Sequence, residues 1–170
     1  EILSSGGDLI STTDSEIMAE MISRHPSDDI ETAIKSCMDR VEGAYSVAVL
    51  SQGAIYAMRD RFGIRPLCLG RLDNDGGWVI TSETCALNIV GAHYVRDVLP
   101  GELLKIDENG PHTIYRLENT GCATCVFEFI YFARPDSYIL GQSLYFARKK
   151  MGAYLAQEAP VDADIVISVP

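Results

Sequence analysis

Four short stretches carry the side chains that could do chemistry. Arg59-Asp60-Arg61-Phe62-Gly63-Ile64-Arg65-Pro66-Leu67 sets three arginines and an aspartate around a Gly-x-x-Pro bend. Forked guanidinium groups in such a place bind backbone carbonyls well, so the bend reads first as a buried Arg-Asp network that fixes a turn. Tyr131-Phe132-Ala133-Arg134-Pro135-Asp136-Ser137 puts a charged turn directly after an aromatic run. Cys122-Ala123-Thr124-Cys125 has the spacing of half a metal site, two thiols where a closed tetrahedral site needs four ligands. Thr13-Asp14-Ser15-Glu16 fits a capping box. Asp14 would then sit at the positive end of a helix, where a carboxylate is stabilised and can accept a charge-assisted bond from an ammonium group. The plainer alternative is a first-turn acid with no ligand. His25, His93 and His112 are isolated in sequence and read as surface or core residues.

The elements that must hold these stretches follow from periodicity. Ile17, Met18, Met21 and Ile22 have helical spacing after the first box, and Asp28 with Glu31 offers a second box ahead of Ile30, Ile34, Met38 and Val41. The two helices form a hairpin turning at His25-Pro26. From Ala44 the period changes to that of strands. Tyr45, Val47 and Val49 share a face, Gln52-Gly53 turns, and residues 55–58 return. Residues 67–72 and 78–81 make a second hairpin across Asp73-Asn74-Asp75-Gly76-Gly77. A short helix covers residues 83–90, and residues 102–106 and 113–117 pair across Asn109-Gly110. Consecutive hairpins predict an antiparallel sheet. Residues 118–124 are polar and contain glycine, the composition of a linker. Beyond them a strand-like aromatic run at 126–132, a helix over about 143–158 and an apolar strand at 165–169 predict the start of a parallel α/β unit.

The chain has 170 residues, 47% hydrophobic and 22% charged, with a formal charge of −10. It has the composition of a globular chain, and its charge argues against binding nucleic acid or anionic lipid. No run of about 18 apolar residues spans a membrane. Five scattered cysteines, an odd number, favour reduced thiols in a cytoplasmic compartment over a disulfide framework. The absence of a start methionine and an apolar strand at the far end read as those of a truncated chain.

These stretches, together with Thr12-Thr13-Asp14-Ser15-Glu16, Val41-Glu42-Gly43-Ala44-Tyr45, Thr81-Ser82-Glu83, Arg96-Asp97-Val98-Leu99-Pro100-Gly101-Glu102 and Cys125-Val126-Phe127-Glu128-Phe129-Ile130, resemble the glutamine phosphoribosylpyrophosphate amidotransferase family. The Gly-Ile-Arg-Pro-Leu bend is shared with other class II glutaminase domains, whereas Tyr-Phe-Ala-Arg-Pro-Asp-Ser is much closer to this one family. The resemblance implies an α+β fold with partial αββα layers of the N-terminal-nucleophile hydrolase type, followed by the start of an α/β phosphoribosyltransferase domain. It implies residues 1–117 as the C-terminal part of a glutaminase domain, 118–124 as linker and 125–170 as the beginning of the second domain.

The implied activity is release of ammonia from glutamine and its transfer to phosphoribosylpyrophosphate, giving 5-phosphoribosylamine in the first step of purine synthesis. Magnesium accompanies phosphoribosylpyrophosphate in the complete enzyme, and the assembly is a homo-oligomer. The family's nucleophile, a cysteine at the mature N-terminus, and its Asn-Gly oxyanion hole have no counterpart here. The first cysteine is Cys37 and the only Asn-Gly is Asn109-Gly110, so this chain alone is expected to be inactive. Asp14 aligns with the aspartate that holds the α-amino group of glutamine, while the family's main glutamine-gripping arginine lies upstream of Glu1. For the arginine-rich bend the resemblance adds the alternative of a charged bend near the glutamine pocket or near the channel to the second domain. In one branch of the family the cysteine at Cys125 ligates a [4Fe-4S] cluster; elsewhere it is a thiol at a domain boundary. Other classes fit less of the chain: an iron-sulfur or zinc module built on Cys122 and Cys125, or a non-catalytic regulatory domain derived from a glutaminase.

Overall fold

The computed structural model describes residues 9–51, 53–73 and 76–167. Two helices come first, α1 (Asp14–Ser23) and α2 (Ile30–Arg40). Both caps differ from the sequence expectation. Thr13 takes the extended N-cap conformation but makes no side-chain cap bond. The Glu16 carboxylate instead reaches back to the amides of Ile10 at 2.6 Å and Ser11 at 2.7 Å. The second helix is capped by Asp29, one residue after the expected Asp28, through the amides of Glu31 and Thr32. Acid-rich spacing alone leaves that choice ambiguous by one residue.

Seven strands follow in two antiparallel sheets. β1 (Ser46–Ser51), β2 (Ala54–Arg59), β6 (Glu102–Asp107) and β7 (Gly110–Arg116) form one in that order. The other has the order β4 (Trp78–Thr81), β3 (Cys68–Leu72), β5 (Ala92–Asp97). Register in the first sheet places Met58 opposite both Val47 and Leu103. Helix α3 (Thr84–Ile89) lies between β4 and β5 in the chain.

The hydrophobic clusters define the layers. Met18, Ile34, Cys37 and Met38 of the first helices pack with Tyr56, Met58 and Leu103 of the first sheet. Ala57, Leu104 and Ile106 of that sheet pack with Leu67, Leu69, Trp78 and Ile80 of the second. Leu87 of α3 packs with Cys68, Val79 and Ala92 on the far side. The order is helix, sheet, sheet, helix. The alternation that each strand needs to bury one face per layer is what the sequence pattern encodes. Full burial of a side chain such as Met58 or Leu103 contributes about 1.5–3 kcal/mol.

After β7 the chain departs from expectation. Residues 126–132 are helical, ending in a π-turn (Glu128–Phe132), not a strand. A two-residue hairpin, β8 (Tyr138–Ile139) with β9 (Gln142–Ser143), leads into α4 (Leu144–Glu158). Residues 165–167, expected to be strand, are exposed and without strand pairing; Ser168, Val169 and Pro170 lie outside the described residues, as do Gln52, Asn74 and Asp75 of the expected turns. An apolar strand needs neighbours on both edges, and no parallel sheet forms among the described residues.

Candidate functional site

The charged bend is a structural knot. Arg59 is buried, and its guanidinium donates to three carbonyls: Nε to Arg65 at 2.9 Å, Nη1 to Val98 at 2.7 Å and Nη2 to Gly63 at 2.9 Å. Burial pushes its pKa down, and the nearby carboxylates of Asp97 and Asp60 oppose that shift. The fully buried Asp60 carboxylate accepts from the amides of Phe62 at 2.9 Å and Ile64 at 3.1 Å. Its backbone amide donates to Tyr45 O, and its carbonyl accepts from Gly101 N at 2.8 Å. Gly63 has φ +58°, and a Cβ there would stand 2.9 Å from Pro100 and 3.1 Å from the Arg59 guanidinium carbon. A side chain would displace the network.

The loop that receives Arg59 is itself held by Glu102. That carboxylate, fully buried, takes a bidentate pair from Arg96 at 2.8 Å and 2.8 Å, the Leu99 amide at 2.7 Å and the Thr113 hydroxyl. Burial opposes its ionisation, but these donors outweigh it and hold the carboxyl below its ordinary range.

Residues 121–125 run along the bend and are bonded to it through their backbone. The amides of Gly121, Ala123 and Cys125 donate to the carbonyls of Arg61, Phe62 and Ile64 at 3.2, 2.8 and 3.0 Å. Beyond this ladder two carboxylates cross between the layers and the C-terminal segment. Glu83, at the start of α3, accepts from Arg134 N at 2.8 Å and Ser137 Oγ at 2.8 Å. Glu128, 2% exposed, faces Arg65 Nε at 3.0 Å in an ion pair without a linear hydrogen bond. The Arg65 guanidinium also lies over the Phe132 ring, 4.7 Å from its centroid. Burial raises the Glu128 carboxyl above its ordinary range, Arg65 lowers it, and Glu83 adds to the rise.

A cavity of about 260 Å³ opens on this seam, lined by Tyr45, Ser46, Arg65, Ser82, Glu83 and Glu128 among others. The Tyr45 hydroxyl and Glu128 Oε1 are buried without a hydrogen-bond partner among the described residues. Burial, reinforced by Asp60, pushes the Tyr45 phenol up, so it stays a neutral donor. The seam thus offers donors and acceptors side by side in a partly closed space.

The structure brings together all the sequence blocks singled out above except the one bearing Asp14. That residue stands exposed in the first turn of α1, which packs through Met18 on the core that also contains Tyr45. Cys125 is half-buried, anchored by its backbone, and Cys122 is exposed with its sulfur 3.6 Å from Thr124 Oγ1. Among the described residues no group of three or more His, Cys, Asp or Glu could hold a metal. The two thiols do not by themselves fit a cluster or a closed zinc site. Sequence reasoning missed Glu128, Glu83 and Glu102 as fixing groups. A lone charge inside the aromatic run Phe127-Glu128-Phe129 was the available signal for the first.

Residues 1–88 match the family model described as "Glutamine amidotransferase domain", and the chain belongs to that family. Its curated relatives are amidophosphoribosyltransferases. That of Mycobacterium tuberculosis (strain ATCC 25618 / H37Rv) is 48% identical over 160 residues, covering 94% of this chain and 30% of the relative. The Homo sapiens protein is 38% identical over 192 residues, covering 100% and 37%. The solved glutamine phosphoribosylpyrophosphate (PRPP) amidotransferase from B. subtilis, complexed with ADP and GMP, superposes with a TM-score of 0.87 at 36% identity, over 95% of this chain and 35% of that one. The chain therefore spans about a third of the length of these relatives. Among the described residues no helix is long and apolar enough to cross a membrane.

Proposed function

We propose that this chain is part of an amidophosphoribosyltransferase. Glutamine and water give glutamate and ammonia; the ammonia then displaces pyrophosphate from phosphoribosylpyrophosphate, leaving 5-phosphoribosylamine. One observation carries this reading: the relatives match across both sides of the seam, from the layered domain through the aromatic turn, at 48% identity over 94% of the chain. Residues 1–117 would belong to the glutaminase and 125–170 to the beginning of the phosphoribosyltransferase, meeting at 118–124. The boundary is one of function; mechanically that segment is bonded to the bend. A homo-oligomeric, cytoplasmic enzyme is part of the same reading. So are magnesium with phosphoribosylpyrophosphate and a cluster taking Cys125, which rest on the family resemblance because the described residues complete neither metal site.

Asp14 is the residue of this chain proposed to touch substrate. Its carboxylate, carried at the exposed positive end of α1, suits the α-ammonium of glutamine. In a protein of the relatives' full length carrying this sequence, Asp14→Asn should lower kcat/KM for glutamine about 10- to 100-fold, the worth of one charge-assisted bond. Synthesis from free ammonia should be preserved, because that step does not use the glutamine amino group. Equal losses with both nitrogen sources would make Asp14 a folding residue and remove it from the site.

A further inference from the structure

The first turn of α1 carries two acids in unlike surroundings. The Glu16 carboxylate accepts from the amides of Ile10 at 2.6 Å and Ser11 at 2.7 Å and from the Ser11 hydroxyl. It therefore reaches past the N-cap residue Thr13 and closes a loop over Thr12 and Thr13. These donors hold its carboxyl below the ordinary range, the Ser11 hydroxyl most of all. With the single Ser11 hydroxyl proton directed to Glu16, Thr13 must donate in the 2.7 Å contact between the two hydroxyls, and its amide donates to the same Ser11 oxygen at 3.2 Å. Thr13 is thus drawn toward Ser11 and makes no cap bond. An ordinary capping box would pair the Thr13 hydroxyl with the Glu16 amide and the Glu16 carboxylate with the Thr13 amide. Asp14, by contrast, is exposed and has no hydrogen bond or ion pair among the described residues. An ammonium group drawn to this turn meets one carboxylate already occupied by three donors and one that is open.

We propose that Glu16 is a positioning residue for the glutamine site that acts through Asp14: by tying residues 10–13 back onto α1 it fixes the entry to the helix and leaves the Asp14 carboxylate open to the α-ammonium of glutamine. The inference rests on the function proposed above. Both Glu16 oxygens are bonded within the chain, so its effect on glutamine passes through its neighbour. The α-ammonium is remote from the amide that is cleaved. Its contact is the same in the bound substrate and in the transition state, and misplacing it raises KM while sparing kcat.

The test is a double-mutant cycle of Glu16→Ala with Asp14→Asn in a protein of the relatives' full length carrying this sequence. Glutamate formation from glutamine, with phosphoribosylpyrophosphate present, and pyrophosphate release with ammonium chloride are measured on each variant. Glu16→Ala should raise KM for glutamine about 5-fold or more, with kcat and the ammonium-dependent rate within about 2-fold of wild type. The double variant should lie within about 2-fold of Asp14→Asn alone, because a residue that acts through Asp14 has nothing left to position once that carboxylate is gone. Glu16→Gln keeps an oxygen for Ser11 but turns an NH2 on the Ile10 amide, so its KM should rise about 2- to 5-fold; it carries the same cycle if Glu16→Ala folds poorly. A KM within 2-fold of wild type in both Glu16 variants, losses that multiply in the double variant, or an equal loss with ammonium would overturn the inference. If Asp14→Asn leaves KM for glutamine unchanged, the role given to Asp14 fails and this inference with it, while the family reading stands. A wild-type protein that hydrolyses no glutamine would overturn the functional reading itself.

Discussion

Glu102→Gln replaces one carboxylate oxygen by an amide NH2 inside a site built entirely of donors. The Gln oxygen can keep the partners of Oε1, Arg96 Nη2 and the Thr113 hydroxyl. The new NH2 then faces the Leu99 amide, which loses its acceptor, and Arg96 Nη1, which keeps only the Asp97 carbonyl at 2.9 Å. An orphaned amide costs about 1–3 kcal/mol, and Arg96 in addition loses its counter-charge while only about a third exposed. The expected destabilisation is about 3 kcal/mol at pH 7, a fall in Tm of about 10 °C for a chain of this size. The dependence on pH has a definite sign. The folded carboxyl of Glu102 is held below its ordinary range, so its contribution is complete above the unfolded value of about 4.3 and is lost as pH falls through the folded one. Urea unfolding of wild type and variant between neutral and acid pH should show a gap that is widest at pH 7 and narrows below about pH 4. A gap under about 1 kcal/mol at pH 7, or one that fails to narrow on acidification, would refute the assignment of Glu102 as a charge-assisted keystone.

Two further outcomes are expected of the 170-residue chain itself. It should hydrolyse no glutamine: Cys37, Cys68 and Cys85 are buried, and burial raises the Cys37 thiol and pushes Cys68 up to about 12, so neither is a thiolate nucleophile at neutral pH. Turnover abolished by mutating one of them would overturn this. In hydrogen exchange, protection should run from β1 through the docked ladder to the first turns of α4, whose Arg148 binds the carbonyls of Phe129 and Ala133 at 2.8 and 2.7 Å. It should decay along the exposed end of α4 and be lost by residues 159–167. Fast exchange beginning together at Gly121 would show instead a free tether.

Much of the layered half was legible because β2 and β6 carry apolar residues on both faces, one toward the helices and one toward the second sheet, and because the turns carry glycine. Strand β5 was not, since His93, Tyr94 and Val95 are all exposed and the pairing shifts register at Leu69/Gly70, which erases alternation. The run at 126–132 has strand-like residue types, yet burying Glu128 against Arg65 curls it into a helical turn; tertiary context overrode propensity. The helix α4 was placed correctly from its stripe, although of Leu144, Ala147, Met151, Tyr154 and Leu155 only Leu144 is fully covered. The reading of the bend as an Arg-Asp network holds for Arg59 and Asp60, which bind its carbonyls and amides, whereas the Arg65 side chain turns out to Glu128 and Phe132. The partners of the carboxylates at positions 83, 102 and 128 lie far away in the chain or across an irregular loop, beyond any local pattern.

The carbonyl cage around Arg59 resembles the coordination shell of a structural metal ion, with the difference that the cation arrives covalently attached to its own host. Gly63, Arg65 and Val98 converge on one positive charge, as oxygen ligands converge on calcium. Because the cation is tethered, its local concentration is set by the chain and not by the medium. Assembly of the bend is therefore a unimolecular event, complete on folding, indifferent to chelators and to the supply of ions in the compartment where the protein works. A lysine would bring the charge without the fork, and so could not reproduce a cage whose three oxygens approach from three directions.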